Sequence, residues 1–218
     1  MKIALIDYGA GNLTSVRKGF AAAGADLFTP SQPSELSQAT AIVVPGVGHF
    51  GATAALDASW RESIHRAVVE GGTPLFGICL GMQWLFDGSE EAPDVPGLGV
   101  IAGTCARLLP DEPSRLKVPH VGWNSLQRTR SSRLLEGIDE TSYVYFTHSY
   151  AAPVDSACVA SAAHGRDFAA VVELGHVSGV QFHPEKSAEA GLRILRNFVE
   201  LVDSRAGSAA RNRCSPNA

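Results

Sequence analysis

The chain opens on "KIALID", residues 2–7, a short apolar run with a charged residue at each end. Such runs read as buried strands when turn formers follow them. "GNLTSVRKGFAAAG", residues 11–24, then places Leu13, Val16, Phe20 and Ala23 at helical spacing, with Gly24 positioned to end the helix. "ADLFT" and "AIVVPG" predict two further strands joined by a short helical "PSELSQ". "SWRESIHRAVVEGG" is a helix with Trp60, Ile64, Ala67 and Val68 inward, and "TPLFGIC" is a strand that stops at Cys79. Apolar runs alternating with helical patterns predict a parallel sheet covered by helices.

From about residue 97 the pattern changes. "GVIAGTCARL", "KVPHVGWNSL", "SYVYFTHSYAAP", "ACVASAAH", "FAAVVELG" and "HVSGVQFH" predict strands linked by turns. "SAEAGLRILRNFVELVDS" predicts a final helix with Leu192, Leu195, Phe198 and Leu201 inward. Residues 204–218 are small, polar and aperiodic, and read as a disordered tail. No repeat or long linker divides the rest. The expectation is one α/β domain over residues 1–203, an open, mostly parallel sheet flanked by helices with an additional antiparallel region.

Composition narrows the function. A 45% hydrophobic and 18% charged chain suits a globular protein with a sizeable core. The net charge of −4 and scattered Lys and Arg residues exclude the basic stripe of a nucleic-acid binder. The N-terminus lacks a secretory pattern, and no run approaches the ~20 apolar residues that span a membrane. Cys79, Cys105, Cys158 and Cys214 contain no CxxC pair. The expected location is the cytoplasm, with reduced thiols.

The candidate chemistry begins at "PLFGICLGMQ", residues 74–83. Gly77 and Gly81 bracket Cys79 as in a nucleophile elbow, where a tight strand-to-helix turn demands small flanking residues and presents the nucleophile. A helix starting near Leu80 would favour the reactive thiolate through its N-terminal dipole. "VQFHPEKS" supplies His183 as a proton shuttle, with Glu185 two residues on to orient the imidazole. On an extended segment the two share a face, and Pro184 fixes the backbone between them. "VVPGVGHF" ends another strand in a loop whose backbone N–H groups, with that of Leu80, suit an oxyanion. His49 adds a titratable group beside that loop.

These pieces, in this order, resemble the class I (triad) glutamine amidotransferases over residues 1 to about 203. The resemblance implies that Cys79 attacks the glutamine side-chain amide, forming a glutamyl thioester that water hydrolyses. It implies His183 as general acid/base and Glu185 as its orienter, with an oxyanion hole at Gly46, Val47 and Leu80. Gly48, Gln83, His148, Ser149 and Tyr150 would contact the substrate, and neither cofactor nor metal is implied. "IDYGAGNLTSV" and "KVPHVGWN" resemble one branch, the glutaminase subunits of imidazole glycerol phosphate synthase in histidine biosynthesis. That branch implies a heterodimer with a (β/α)₈-barrel cyclase, which receives ammonia through a tunnel. The cyclase uses it to make imidazole glycerol phosphate and aminoimidazole carboxamide ribotide. Asn12, Pro119, Trp123 and Lys186 would lie at or near the interface, although core packing explains Trp123 equally well.

Two other classes compete. A cysteine peptidase or chaperone-like hydrolase of similar fold typically takes its histidine from beside the cysteine, whereas Leu80 follows Cys79 here. A catalytically dead scaffold has no need to retain Cys79, His183 and Glu185 together.

Overall fold

The computed structural model describes residues 1–109 and 116–213, with side chains to residue 206. Its main sheet has eight strands in the order β2-β1-β3-β4-β13-β12-β11-β8. The parallel half comprises β1 (Ile3–Leu5), β2 (Leu27–Phe28), β3 (Ala41–Val44) and β4 (Leu75–Ile78), which β13 (Val177–Val180) joins in parallel beside β4. Beyond β13 the pairing turns antiparallel through β12 (Arg166–Leu174), β11 (Cys158–His164) and β8 (Gln127–Arg128). A small sheet holds β5 (Gly88–Ser89), β6 (Thr104–Arg107) and β10 (Tyr150–Ala151). A separate ribbon pairs β7 (His120–Ser125) with β9 (Tyr143–His148).

Side-chain alternation explains the layering. Ile3 and Leu5 of β1 join one apolar cluster while Ala4 joins the other. Helix α1 (Leu13–Ala22) and helix α4 (Ala188–Arg213) cover the first face with Val16, Phe20, Ile194, Leu195 and Phe198. Helix α2 (Ala58–His65), through Ile64, and the short α3 (Leu80–Trp84), through Met82 and Trp84, cover the second. No described helix is long and apolar enough to cross a membrane.

Several elements depart from the sequence reading. The α4 stripe runs through Ile194, Leu195, Phe198 and Val202, leaving Leu192 and Leu201 half-buried. "GVIAGTCARL" forms a strand only at Thr104–Arg107, since Gly99 and Gly103 adopt φ of 72° and 116°. Helix α4 continues to Arg213, past residue 203 where the disordered tail was expected. The composition of residues 205–213 explains this, since it is rich in alanine and arginine, both strong helix formers. Cys214 and the last residues of the expected tail lie outside the described residues.

Candidate active site

Cys79 sits where β4 ends and α3 begins, with φ 53° and ψ −109°. That is a left-handed value that a residue with a Cβ rarely adopts. The bracketing glycines are required by contact. A Cβ on Gly81 would overlap the Val44 carbonyl oxygen, and one on Gly77 would press on the backbone of Gly81 and Met82. The Cys79 N–H donates to the Val180 carbonyl at 2.8 Å, tying the elbow to β13. The elbow does not thrust its sulfur into solvent as expected, because Cys79 is only 5% exposed. Its Sγ lies 3.9 Å from the Thr147 carbonyl oxygen and accepts from Gln181 Nε2 at 3.7 Å. The end of β9 and the start of the Gln181–His183 run close over it.

His183 follows β13, and its Nδ1 lies 2.9 Å from Glu185 Oε1 with both side chains buried. The extended geometry expected between them is absent. Pro184–Lys186 is a 3₁₀ turn, favoured by proline at its first position, and it brings Glu185 back to the ring. Ser187 holds the turn by donating to the His183 carbonyl at 2.6 Å and accepting the Tyr145 N–H at 2.9 Å. Burial lowers the His183 pKa, but interaction with Cys79 and Glu185 outweighs it and raises the ring to about 9. His183 Nε2 is buried and makes no close hydrogen bond.

The glycine loop follows β3. Gly46 is buried, while Val47, Gly48 and His49 are exposed. The Leu80 N–H donates to the Gly46 carbonyl oxygen at 3.3 Å, so one expected oxyanion donor is already occupied. Val47 is 39% exposed. His49 caps the helical turn Phe50–Ala55, its Nδ1 accepting the Gly51 N–H at 3.0 Å.

Of the expected substrate contacts, Gln83 is buried and its Nε2 donates to the Tyr150 carbonyl at 2.8 Å and to Gln181 Oε1 at 3.0 Å. His148 is also buried, with Nδ1 2.9 Å from the Tyr150 carbonyl. The Ser149 carbonyl accepts the Leu108 N–H at 2.8 Å, anchoring the corner between β9 and β10. Asn12 caps α1 by accepting the Ser15 N–H at 3.1 Å. Pro119, preceded by a cis peptide bond, and Lys186 are exposed. Trp123 is 52% exposed, which removes the core-packing alternative.

Residues 4–202 match the family of class-I glutamine amidotransferases. The chain belongs to that family. It is 45% identical over 201 residues to the imidazole glycerol phosphate synthase subunit HisH of Methanothermobacter thermautotrophicus, covering 92% of this chain and 98% of that one. To the same-named subunit of Gloeobacter violaceus it is 46% identical over 221 residues, covering 98% and 95%. Among solved structures, a glutamine amidotransferase superposes with a TM-score of 0.71 at 20% identity, covering 92% of this chain and 98% of the other. PurLQS from Thermotoga maritima gives 0.69 at 17%, with the same coverage. At those identities the structural likeness establishes the fold.

Within this candidate site, sequence reasoning missed Tyr8, Thr147 and Gln181. The Tyr8 hydroxyl is buried without a hydrogen-bond partner, and a Cβ on Gly46 would overlap it. Burial and then the nearby Cys79 push its pKa up. Gln181 had a readable signal, since it stands two residues before His183 in the same apolar run. Tyr8 and Thr147 had none, because only the fold brings the ends of β1 and β9 to Cys79.

Proposed function

We propose that this chain is the glutaminase subunit of an imidazole glycerol phosphate synthase. The observation that carries the reading is the HisH relatives, 45–46% identical over more than nine-tenths of this chain and of their own length. In the proposed mechanism the Cys79 sulfur attacks the side-chain carbonyl carbon of glutamine. His183 takes the thiol proton and returns it to the departing nitrogen, so that ammonia leaves and a γ-glutamyl thioester remains. A water molecule then attacks the thioester, His183 again moves the proton, and glutamate and the free thiol are regenerated. Glu185 holds the imidazole by its Nδ1 and stabilises its charged form, as the 2.9 Å contact and the raised His183 pKa support. Backbone N–H groups of Val47 and Leu80 would bind the oxyanion. Since Leu80 now donates to Gly46, this role requires the Gly46 peptide to move aside.

The partner in this reading is a (β/α)₈-barrel cyclase that receives the ammonia, docked against Asn12, Pro119, Trp123 and Lys186, with the complex in the cytoplasm. Exposed Trp123 packs edge-on to Tyr145, and Lys186 Nζ lies 5.8 Å from the same ring, supporting one continuous surface. The test is glutamate release from glutamine by the purified chain alone, then with a cyclase subunit and its nucleotide substrate. Weak activity alone and strong stimulation in the mixture, both abolished by Cys79→Ala, are expected. High activity without a partner would keep the glutaminase chemistry and move the chain to another branch; no hydrolysis in any mixture would refute the reading.

A further inference from the structure

Two buried histidines outside the triad form a cross-strand pair in the ribbon. His120 of β7 stands opposite His148 of β9, and His120 Nδ1 lies 3.1 Å from His148 Nε2. Their proton positions follow from one fixed end. The Tyr150 carbonyl, 2.9 Å from His148 Nδ1, can only accept, so that nitrogen carries the proton. In a neutral His148 the Nε2 is then bare, and His120 Nδ1 must donate to it. His120 Nε2 is left as an acceptor, with Asn124 Nδ2 3.5 Å away.

The chain of donors continues past the histidines. The Tyr150 carbonyl also accepts from Gln83 Nε2 at 2.8 Å. The same nitrogen donates to Gln181 Oε1 at 3.0 Å, and Gln181 Nε2 donates to Cys79 Sγ at 3.7 Å. His148 also adjoins Thr147, whose carbonyl oxygen lies over the sulfur.

We propose that His120 and His148 are positioning residues for the nucleophile: a neutral pair, bonded in one direction, that fixes the Tyr150 carbonyl and through it sets Gln83 and Gln181 against the Cys79 sulfur. The inference rests on the glutaminase reading and deepens it. A charged ring would present N–H to N–H somewhere along the chain, so the arrangement requires both rings neutral. The surroundings meet that requirement. Burial, then the stacked His164 ring 4.2 Å away, lowers the His120 pKa to about 4. Burial lowers His148 to about 3 against the raising effect of its bond to Tyr150, with His120, His164 and His183 adding to the depression. The remaining walls are the rings of Phe146 and Phe168.

The test compares His120→Phe with His120→Asn in the chain assembled with the cyclase and its nucleotide. Phenylalanine keeps the stacked ring and removes the donor; asparagine restores an N–H near the position of Nδ1. For His120→Phe, kcat is expected to fall on the order of tenfold with KM little changed. Its acid limb is expected to move to higher pH, because His148 Nε2 becomes free to take a proton. His120→Asn is expected to recover most of kcat and the original limb. Separately, nitrogen NMR of the wild-type chain at pH 7 is expected to find both rings neutral and protonated on Nδ1. Either ring charged or protonated on Nε2, or equal kinetics and acid limbs in the two variants, would overturn the proposal while leaving glutaminase activity intact. Absence of glutamine hydrolysis by the wild type would overturn the glutaminase reading and this inference together.

Discussion

His183 gains a charged-form preference on folding, and its sign determines how stability responds to pH. Burial opposes the charge, yet Cys79 and Glu185 carry the ring from its ordinary 6.5 to about 9. A pKa raised on folding contributes stability that is fully present below pH 6.5 and is lost as pH rises through 9. Removing the carboxylate weakens that contribution, so Glu185→Gln is expected to be less stable than wild type by on the order of 1–3 kcal/mol at pH 6. The gap should narrow toward pH 9.5. Denaturant unfolding at both pH values measures it, and an unchanged gap would mean that the pair is held by geometry without charge. Cys79, His183 and Glu185 could be proposed as a trio from sequence because each member lies in a local pattern of glycine or proline. Gln83 and Gln181 each carry a local sequence signal, but the bonds that join them to Tyr150 and to each other could not be read, because those bonds span 67 and 98 residues.

At the level of elements, close backbone approach decides where Cys79 stands. Helix α3 passes so near the end of β3 that Gly81 has no room for a methyl group against the Val44 carbonyl. Gly81→Ala is therefore expected to cost about 3 kcal/mol or more, lowering Tm by several degrees, and to weaken glutaminase activity by displacing the start of α3 and with it Cys79. Gly88→Ala, whose Cβ would meet nothing closer than 3.7 Å, is the control and should lie within about 1 kcal/mol of wild type. Differential scanning calorimetry of the two variants settles the comparison. Alternation and helical spacing made the parallel half readable, since β1, β3 and β4 are short apolar runs between clear turns. The HPE segment was misread as extended because the preference of Pro184 for a first helical position competes with the strand pattern before it. The long "GVIAGTCARL" run failed because two glycines at positive φ interrupt it.

Across the whole molecule, the ribbon of β7 and β9 has two unlike faces. One buries His120 and His148; the other leaves Val121 58%, Trp123 52% and Tyr143 58% exposed. Clustered exposed aromatics mark a surface meant for a partner. Trp123→Ala is expected to weaken binding to the cyclase barrel by about 2 kcal/mol, roughly 30-fold in Kd. The isolated chain should change stability by no more than about 0.5 kcal/mol. Calorimetric titration with the barrel and unfolding of the free chain test the two halves separately, and unchanged affinity would place the contact elsewhere.

The depth of Cys79 has a further consequence for the life of the enzyme. A cysteine only 5% exposed, its sulfur beside the Thr147 carbonyl and the Gln181 amide, is shielded from peroxide and from stray disulfide exchange, both of which require access to the thiol. In the proposed glutaminase, the groups that cover Cys79 would thus also preserve its thiol between turnovers.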